Sequence, residues 1–194
     1  MDAVLKEALL EEKDKWHFAT SDRYFVPQHR IIAIMTDASI DSALRGYGME
    51  PYELHQVSVK VKENGRKTFA ILIAIGSGDA IRTFVEQERY SQTGLDTKLP
   101  LARSVAQQYI GDKAKAGDFD LRQWELIAPV FYEGEPHSHL ANATILPFTF
   151  ERRLGKDKEG SFGAIYEVRL PRSHVPALAT TEEEVSARDM SFSL

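Results

Sequence analysis

No cysteine occurs in the 194 residues, and that single absence removes disulfides, cysteine-based zinc sites and a thiol nucleophile together. Long apolar runs are missing as well. The longest, FAILIAIG from Phe69, falls far short of the ~20 residues that a membrane span needs. The first residues, MDAVLKEALLEEKDKW, carry acids at their head and charges throughout, so they lack the basic head and apolar stretch of a secretory signal. Basic charge is not concentrated anywhere: 24 lysines and arginines stand against 29 acids, a net charge of −5. That leaves no basic stripe for nucleic acid and no polybasic segment for anionic lipid. Asn142-Ala-Thr matches a glycosylation acceptor, but without a secretory signal it carries no meaning. The expected setting is the cytosol or nucleus, with no nucleic-acid or membrane partner.

What is present is ordinary for a globular protein: 43% hydrophobic and 27% charged residues, enough to bury a core in one domain or slightly more. Val4, Leu5, Ala8 and Leu9 recur at helical spacing, which predicts an amphipathic helix over 2–15. RYFVPQHRIIAIMT reads as an extended stretch with a proline. TDASIDSALRGYG reads as a capped helix, started by Thr36 or Asp37 and ended by Gly46 or Gly48. The segment LHQVSVKVKENGRKTFAILIAIG is ambiguous between helix and strand over 55–75. Its alternation around Asn64-Gly65 is a hairpin signal, whereas Phe69, Leu72 and Ile73 share a helical face and Ala70 and Ala74 favour a helix. The balance tips slightly to a helix for 66–75.

SGDAIRTFVEQERY predicts a helix capped by Ser77 or Asp79, with Ile81, Phe84 and Val85 inside. LPLARSVAQQYIGDK predicts another, broken at Gly111. After KAKAGDFD the chain turns rich in proline, aromatic and β-branched residues, as suits an extended connector pinned by Trp124, Phe131, Phe148 and Phe150. FERRLG and GAIYEVRL read as two strands around a charged, glycine-containing turn. TTEEEVSARDMSFSL is expected to form one short capped helix or to fray. No internal repeat is visible.

Few groupings carry chemistry. IGSGDAI sets Gly76 and Gly78 between an apolar run and a helix, as a dinucleotide fingerprint would, but Ile81 stands where the third glycine is required. A plain helix cap is the better reading. His137 and His139 are close in sequence without further ligands in view, so a loop pair with no metal is expected. No G-x-S-x-G is present, and Glu182, Glu183 and Glu184 form a run of the kind that solvates a face. RRLGKDKEGSFGAIYEVRL, residues 152–170, is different. Glycine-rich loops cover ATP in protein kinases because glycines let backbone N–H groups approach the phosphates. Gly160, Ser161, Phe162, Gly163 and Ile165 match the second half of the G-x-G-x-x-G-x-V pattern. The first half departs, because four residues separate Gly155 from Gly160 where the pattern has one.

The surrounding stretch, QWELIAPVFYEGEPHSHLANATILPFTFERRLGKDKEGSFGAIYEVRLPRSH, resembles an arrangement in fungal protein-kinase-like proteins. There a QW-x-x-x-APVF segment leads through LPF into the glycine-rich loop and then a V-x-I-x-P-x-H strand. The upstream FVP, T-x-x-S-I, FAILIAIG and LPL pieces are similar to the N-terminal region of that group, so the likeness covers about residues 24 to 174 and is most specific over 123–174. The resemblance implies an α+β chain: a mainly helical accessory domain over 1–115, an extended connector over 116–149, and over 150–194 an incomplete kinase-like N-lobe. It implies ATP as ligand, weakly held, at Gly155, Gly160, Ser161, Phe162, Gly163 and Ile165, with no metal.

From Glu159 to Leu194 there is no lysine to grip the α- and β-phosphates, and arginine does not substitute for it. HRI at His29 and DFD at Asp118 precede the loop, the wrong order for a catalytic loop and a metal-binding aspartate. The chain is therefore expected to be the truncated N-terminal part of such a protein, without catalytic residues and inactive as a kinase. The alternative is a non-enzymatic binding or scaffold module, in which residues 1–115 recognise a protein partner and the hairpin is structural. A lone hairpin is marginal in water. It must either dock on the helical part through Phe148, Phe150, Ile165 and Tyr166, or leave residues 150–194 loosely held.

Overall fold

The structure, a computed structural model, describes residues 2–15, 22–89, 93–132, 140–153, 166–176 and 184–187. It is an α+β arrangement in which helices supply the main core and a small antiparallel sheet lies towards the C-terminal end.

Helix α5, Arg66–Ala74, lies at the centre, and every residue from Thr68 to Ala74 is buried. A helix apolar on all sides has no solvent face, which is why its sequence reads equally as a buried strand. The structure settles the ambiguous segment as two helices, α4 (Pro51–Asn64) and α5, meeting at Gly65. On α4, Val57 and Val61 are buried one turn apart while Val59 between them is exposed. The alternation thus hides a helical period. Gly65 has φ −141, so the hairpin turn that Asn64-Gly65 suggests is not made. Its role is close approach: a Cβ there would stand 2.9 Å from Leu95 Cδ1 and 3.0 Å from Val61 Cα.

Helix α1 (Asp2–Glu11) packs on α5 through Leu5 and Leu9. It is shorter than expected, because Asp14–Lys15 (β1) pairs with Tyr24–Phe25 (β2). Residues 28–34 are a further correction. They form helix α2, Gln28–Ile34, rather than an extended stretch. Pro27 sits just ahead of the first turn, where its missing N–H loses nothing. Ile31 and Met35, four residues apart, point inward. Helix α3 (Asp37–Arg45) begins as expected, with Thr36 Oγ1 accepting from the Ser39 N–H at 3.2 Å, and ends at Gly46. Helix α6 (Ile81–Gln87) is preceded by a 3-10 turn, Gly78–Ala80, where the Ser77 side chain makes no capping bond. Ile81 and Phe84 are buried and Val85 is half-buried.

Helix α7 (Arg103–Ile110) stops at Gly111, whose φ of +77 suits glycine. Asp112 then caps α8, Lys113–Leu126, accepting from the N–H groups of Ala114 at 2.7 Å and Lys115 at 3.0 Å. Helix α8 runs through residue 115, so the stretch expected to be extended from 116 is helical as far as Leu126. Ala116, Phe119, Gln123 and Leu126 form its buried stripe. Gly117 and the charged KAKAGDFD obscure that stripe in the sequence.

Strands β3 (Phe150–Arg153) and β4 (Tyr166–Pro171) pair antiparallel as expected, with Glu151 opposite Val168 and Arg153 opposite Tyr166. Residues 184–187, expected as helix or frayed chain, form β5 (Glu184–Ala187) on the far side of β4. The three strands make a meander in the order β3-β4-β5. A second apolar cluster of Phe25, Ala128, Ile145, Leu146, Phe148, Val168, Leu170 and Val175 joins this sheet to the helical part. Trp124, Phe131 and Tyr166 pack against it, so three of the four expected anchors serve there.

Candidate functional site

The glycine-rich segment joins β3 to β4. Gly155, Gly160, Ser161, Phe162, Gly163 and Ile165 all lie outside the described residues, as do His137 and His139. The strands that carry the segment are described, and their two faces differ. Tyr166, Val168 and Leu170 alternate on the side that packs into the second cluster. The opposite side carries Phe150 with the Arg169 guanidinium 4.8 Å from its ring centre, and Arg152 ion-paired with Glu167 directly across the ladder. Phe150 is thus an anchor for Arg169 rather than for the cluster.

Glu151 lies opposite Val168, on the packed side. Its Oε2 is buried without a hydrogen-bond partner among the described residues, and loss of solvent pushes its carboxyl above the usual range. A group that binds its proton more tightly folded than unfolded weakens the fold once ionised. We therefore expect Glu151→Gln to raise stability at pH 7, by under about 1 kcal/mol given its partial exposure, and to have no benefit near pH 4. Paired urea titrations at the two pH values read this out.

The best-defined polar centre is His174, in the 3-10 turn Arg172–His174 that follows β4. It is 1% exposed. Its Nδ1 stands 2.7 Å from the Pro129 carbonyl, which can only accept, so Nδ1 carries the proton and donates. Its Nε2 then accepts from the Gln28 N–H at 3.2 Å, at the first turn of α2. The Phe25 ring meets the imidazole edge-on at 5.8 Å, and the His174 carbonyl accepts from the Phe131 N–H at 2.8 Å. Loss of solvent, opposed by the Pro129 carbonyl and assisted by Lys67 nearby, depresses its pKa to about 4. This is a neutral clamp holding strand, connector and helical part together. The sequence marks His174 only as the end of a motif and gives no sign of that role.

Other candidates separate. His29 Nδ1 meets Ser173 Oγ at 3.0 Å on the surface, and Asp118 is exposed on α8. Gly76 and Gly78 flank Ser77, with Gly78 opening the 3-10 turn and φ +69 at Gly76. Strand β5, third in the meander, reads Glu-Val-Ser-Ala and carries no lysine. Among the described residues no three His, Asp or Glu side chains group as metal ligands, and no helix is long and apolar enough to cross a membrane. Comparison of the chain with protein-family models, with characterised proteins and with solved structures gave no match.

Proposed function

We propose that this chain is a protein-kinase-like protein in which a helical unit seats a glycine-rich hairpin, and that by itself it binds nucleotide weakly and transfers no phosphate. One observation carries the reading. The stretches that bear the resemblance, FVP, APVF, LPF and VRLPRSH, lie far apart in sequence, yet Phe25, Ala128, Phe131, Leu146, Phe148, Val168 and Leu170 meet in one cluster beside His174. Pieces of one structural unit must meet in this way, and the shared His174 contacts fix how they meet. The strand order is compatible, since kinases place the glycine-rich loop between their first two strands and the phosphate-gripping lysine on the third. With Glu184 to Ala187 as third strand, that ammonium has no place here.

The test is thermal unfolding with Mg-ATP for the parent chain and Gly163→Asp. A ligand held only by loop amides stabilises by well under about 1 kcal/mol at millimolar concentration. We expect that small saturable rise in the parent and its loss in Gly163→Asp. Stabilisation of several kcal/mol would overturn weak binding. A response identical in both proteins would remove the loop from the site, and no response in either would favour a protein-binding module with a structural hairpin.

A further inference from the structure

A cavity of about 320 Å³ opens where the helical core meets the connector. Leu99, Pro100, Trp124 and Ile127 give it apolar walls, and Lys67 and Asp96 are its charged groups. The two differ in what they have left to offer. The Asp96 carboxylate is already committed, accepting from the Lys67 N–H at 3.0 Å, the Thr68 N–H at 2.8 Å and Thr68 Oγ1 at 2.9 Å. The Lys67 ammonium takes part in no hydrogen bond or ion pair among the described residues. We infer that this cavity is a binding site for a small monocarboxylate with an aromatic or aliphatic body, its carboxylate on Lys67 Nζ and its body against Trp124.

Each part of that assignment follows from the walls. Loss of solvent holds the Lys67 ammonium below its ordinary pKa, with the Asp96 charge in partial compensation. A bound anion restores part of what burial removed, and a charge-assisted hydrogen bond is the strongest contact open to a partly desolvated amine. A single cation beside a fixed carboxylate favours one negative charge over two, which disfavours phosphate esters and nucleotides. The volume lies at the small end of ligand sites, room for a compact acid. None of the cavity's lining residues belongs to β3 or β4, and failure of this assignment would leave the nucleotide reading untouched. Pro129 lines the same cavity while its carbonyl holds His174, so an occupant would touch the clamp between the two clusters.

The probe is phenylacetate, titrated into the full chain while the Trp124 indole N–H and the Thr68 amide are followed by NMR, with phenylacetamide and inorganic phosphate in parallel. We expect saturable shifts at both reporters with the acid, at least about tenfold weaker binding of the amide, and no competition from phosphate. Lys67→Met should bring acid and amide to equal affinity. Equal binding of acid and amide by the parent chain would overturn the assignment. So would the absence of saturation with the acid, or displacement by phosphate. These comparisons use the parent chain alone, so they decide the matter even where Lys67→Met perturbs folding.

Discussion

Between pH 6.5 and about 4 the chain should lose on the order of 3 kcal/mol of stability through His174 alone. The sign follows from the two states. Above the ordinary histidine range the imidazole is neutral whether folded or unfolded, and its clamp is fully in place. As pH falls, the unfolded chain takes up a proton at the ordinary value, while the folded chain resists until about 4. A protonated ring would place a second N–H against the Gln28 N–H that its Nε2 now accepts, in a site almost closed to water. Acidification therefore favours unfolding throughout that window. Glu151, whose carboxyl is pushed up, works in the opposite direction nearer the carboxylate range. The lowered carboxyls of Asp41 and Asp112 contribute losses only at more acid pH.

Urea unfolding followed by tryptophan fluorescence at several pH values measures this. His174→Gln, which cannot take up a proton, should show a lower midpoint at pH 7.5 and a flatter decline towards pH 4.5. His174→Ala should lose about 2–4 kcal/mol at neutral pH, from two broken hydrogen bonds and a cavity beside Phe25. A decline as steep in His174→Gln as in the parent would show that another group carries it.

Legibility followed the physics of each segment. Helices with a polar side and local caps were readable. The Thr36 cap and the Gly111 stop need only neighbouring residues, and the 3.6-residue period marks an inward stripe. Helix α5 was hard to read because burial on all sides erases periodicity. Helix α8 was missed past residue 115 because Gly117 and its charged neighbours mask four buried positions spaced by three and four. Residues 28–34 were misread because proline weighs equally as a helix start and as a mark of extended chain. The hairpin β3–β4 was legible from alternation around glycine. Strand β5 was not, since a short edge strand takes its conformation from the neighbour it pairs with. The candidate loop is a reading of the sequence alone, resting on the glycines that backbone approach to phosphate would demand, and it lies outside the described residues. His174, Lys67 and Asp96 left no local signal, because each owes its character to residues 28 to 149 positions away.

The motif pieces gain a physical meaning in this light. Phe25, Pro129, Phe131 and His174 share one clamp: a ring contact, a carbonyl acceptor, a backbone donor and the imidazole between them. An apolar cluster alone would hold the sheet against the helices without fixing its register. A buried imidazole with both nitrogens engaged demands one arrangement, because a shift of a single residue leaves its polar atoms unpaired. The seating of the hairpin is thus specified by a few directional bonds and stabilised by apolar area.

Asp96→Ala should be among the most damaging single substitutions in the helical part, lowering stability by about 2–4 kcal/mol. Helix α5 is entered from Gly65, which has no side chain with which to cap it. Its first-turn N–H groups would be orphaned, and from Thr68 onward the helix is buried, out of reach of water. The chain solves this from a distance: Asp96, in the 3-10 turn Leu95–Lys98, supplies the acceptors for the Lys67 N–H, the Thr68 N–H and Thr68 Oγ1. Removing the carboxylate strands two backbone donors and a hydroxyl, and takes a counter-charge from the Lys67 ammonium. Asn at this position keeps one acceptor oxygen but loses the negative charge at the positive end of the helix, so Asp96→Asn should cost about 1–2 kcal/mol. The order parent, Asn, Ala is the prediction, read as urea midpoints at constant slope, and hydrogen exchange at Phe69–Ala74 should accelerate in the same order. Thr68→Val in the Asp96→Ala background should cost less than in the parent, because the partner of the hydroxyl has already gone. An Ala variant within about 0.5 kcal/mol of the parent would mean that water reaches the first turn of α5, and that the helix owes its position to apolar packing alone.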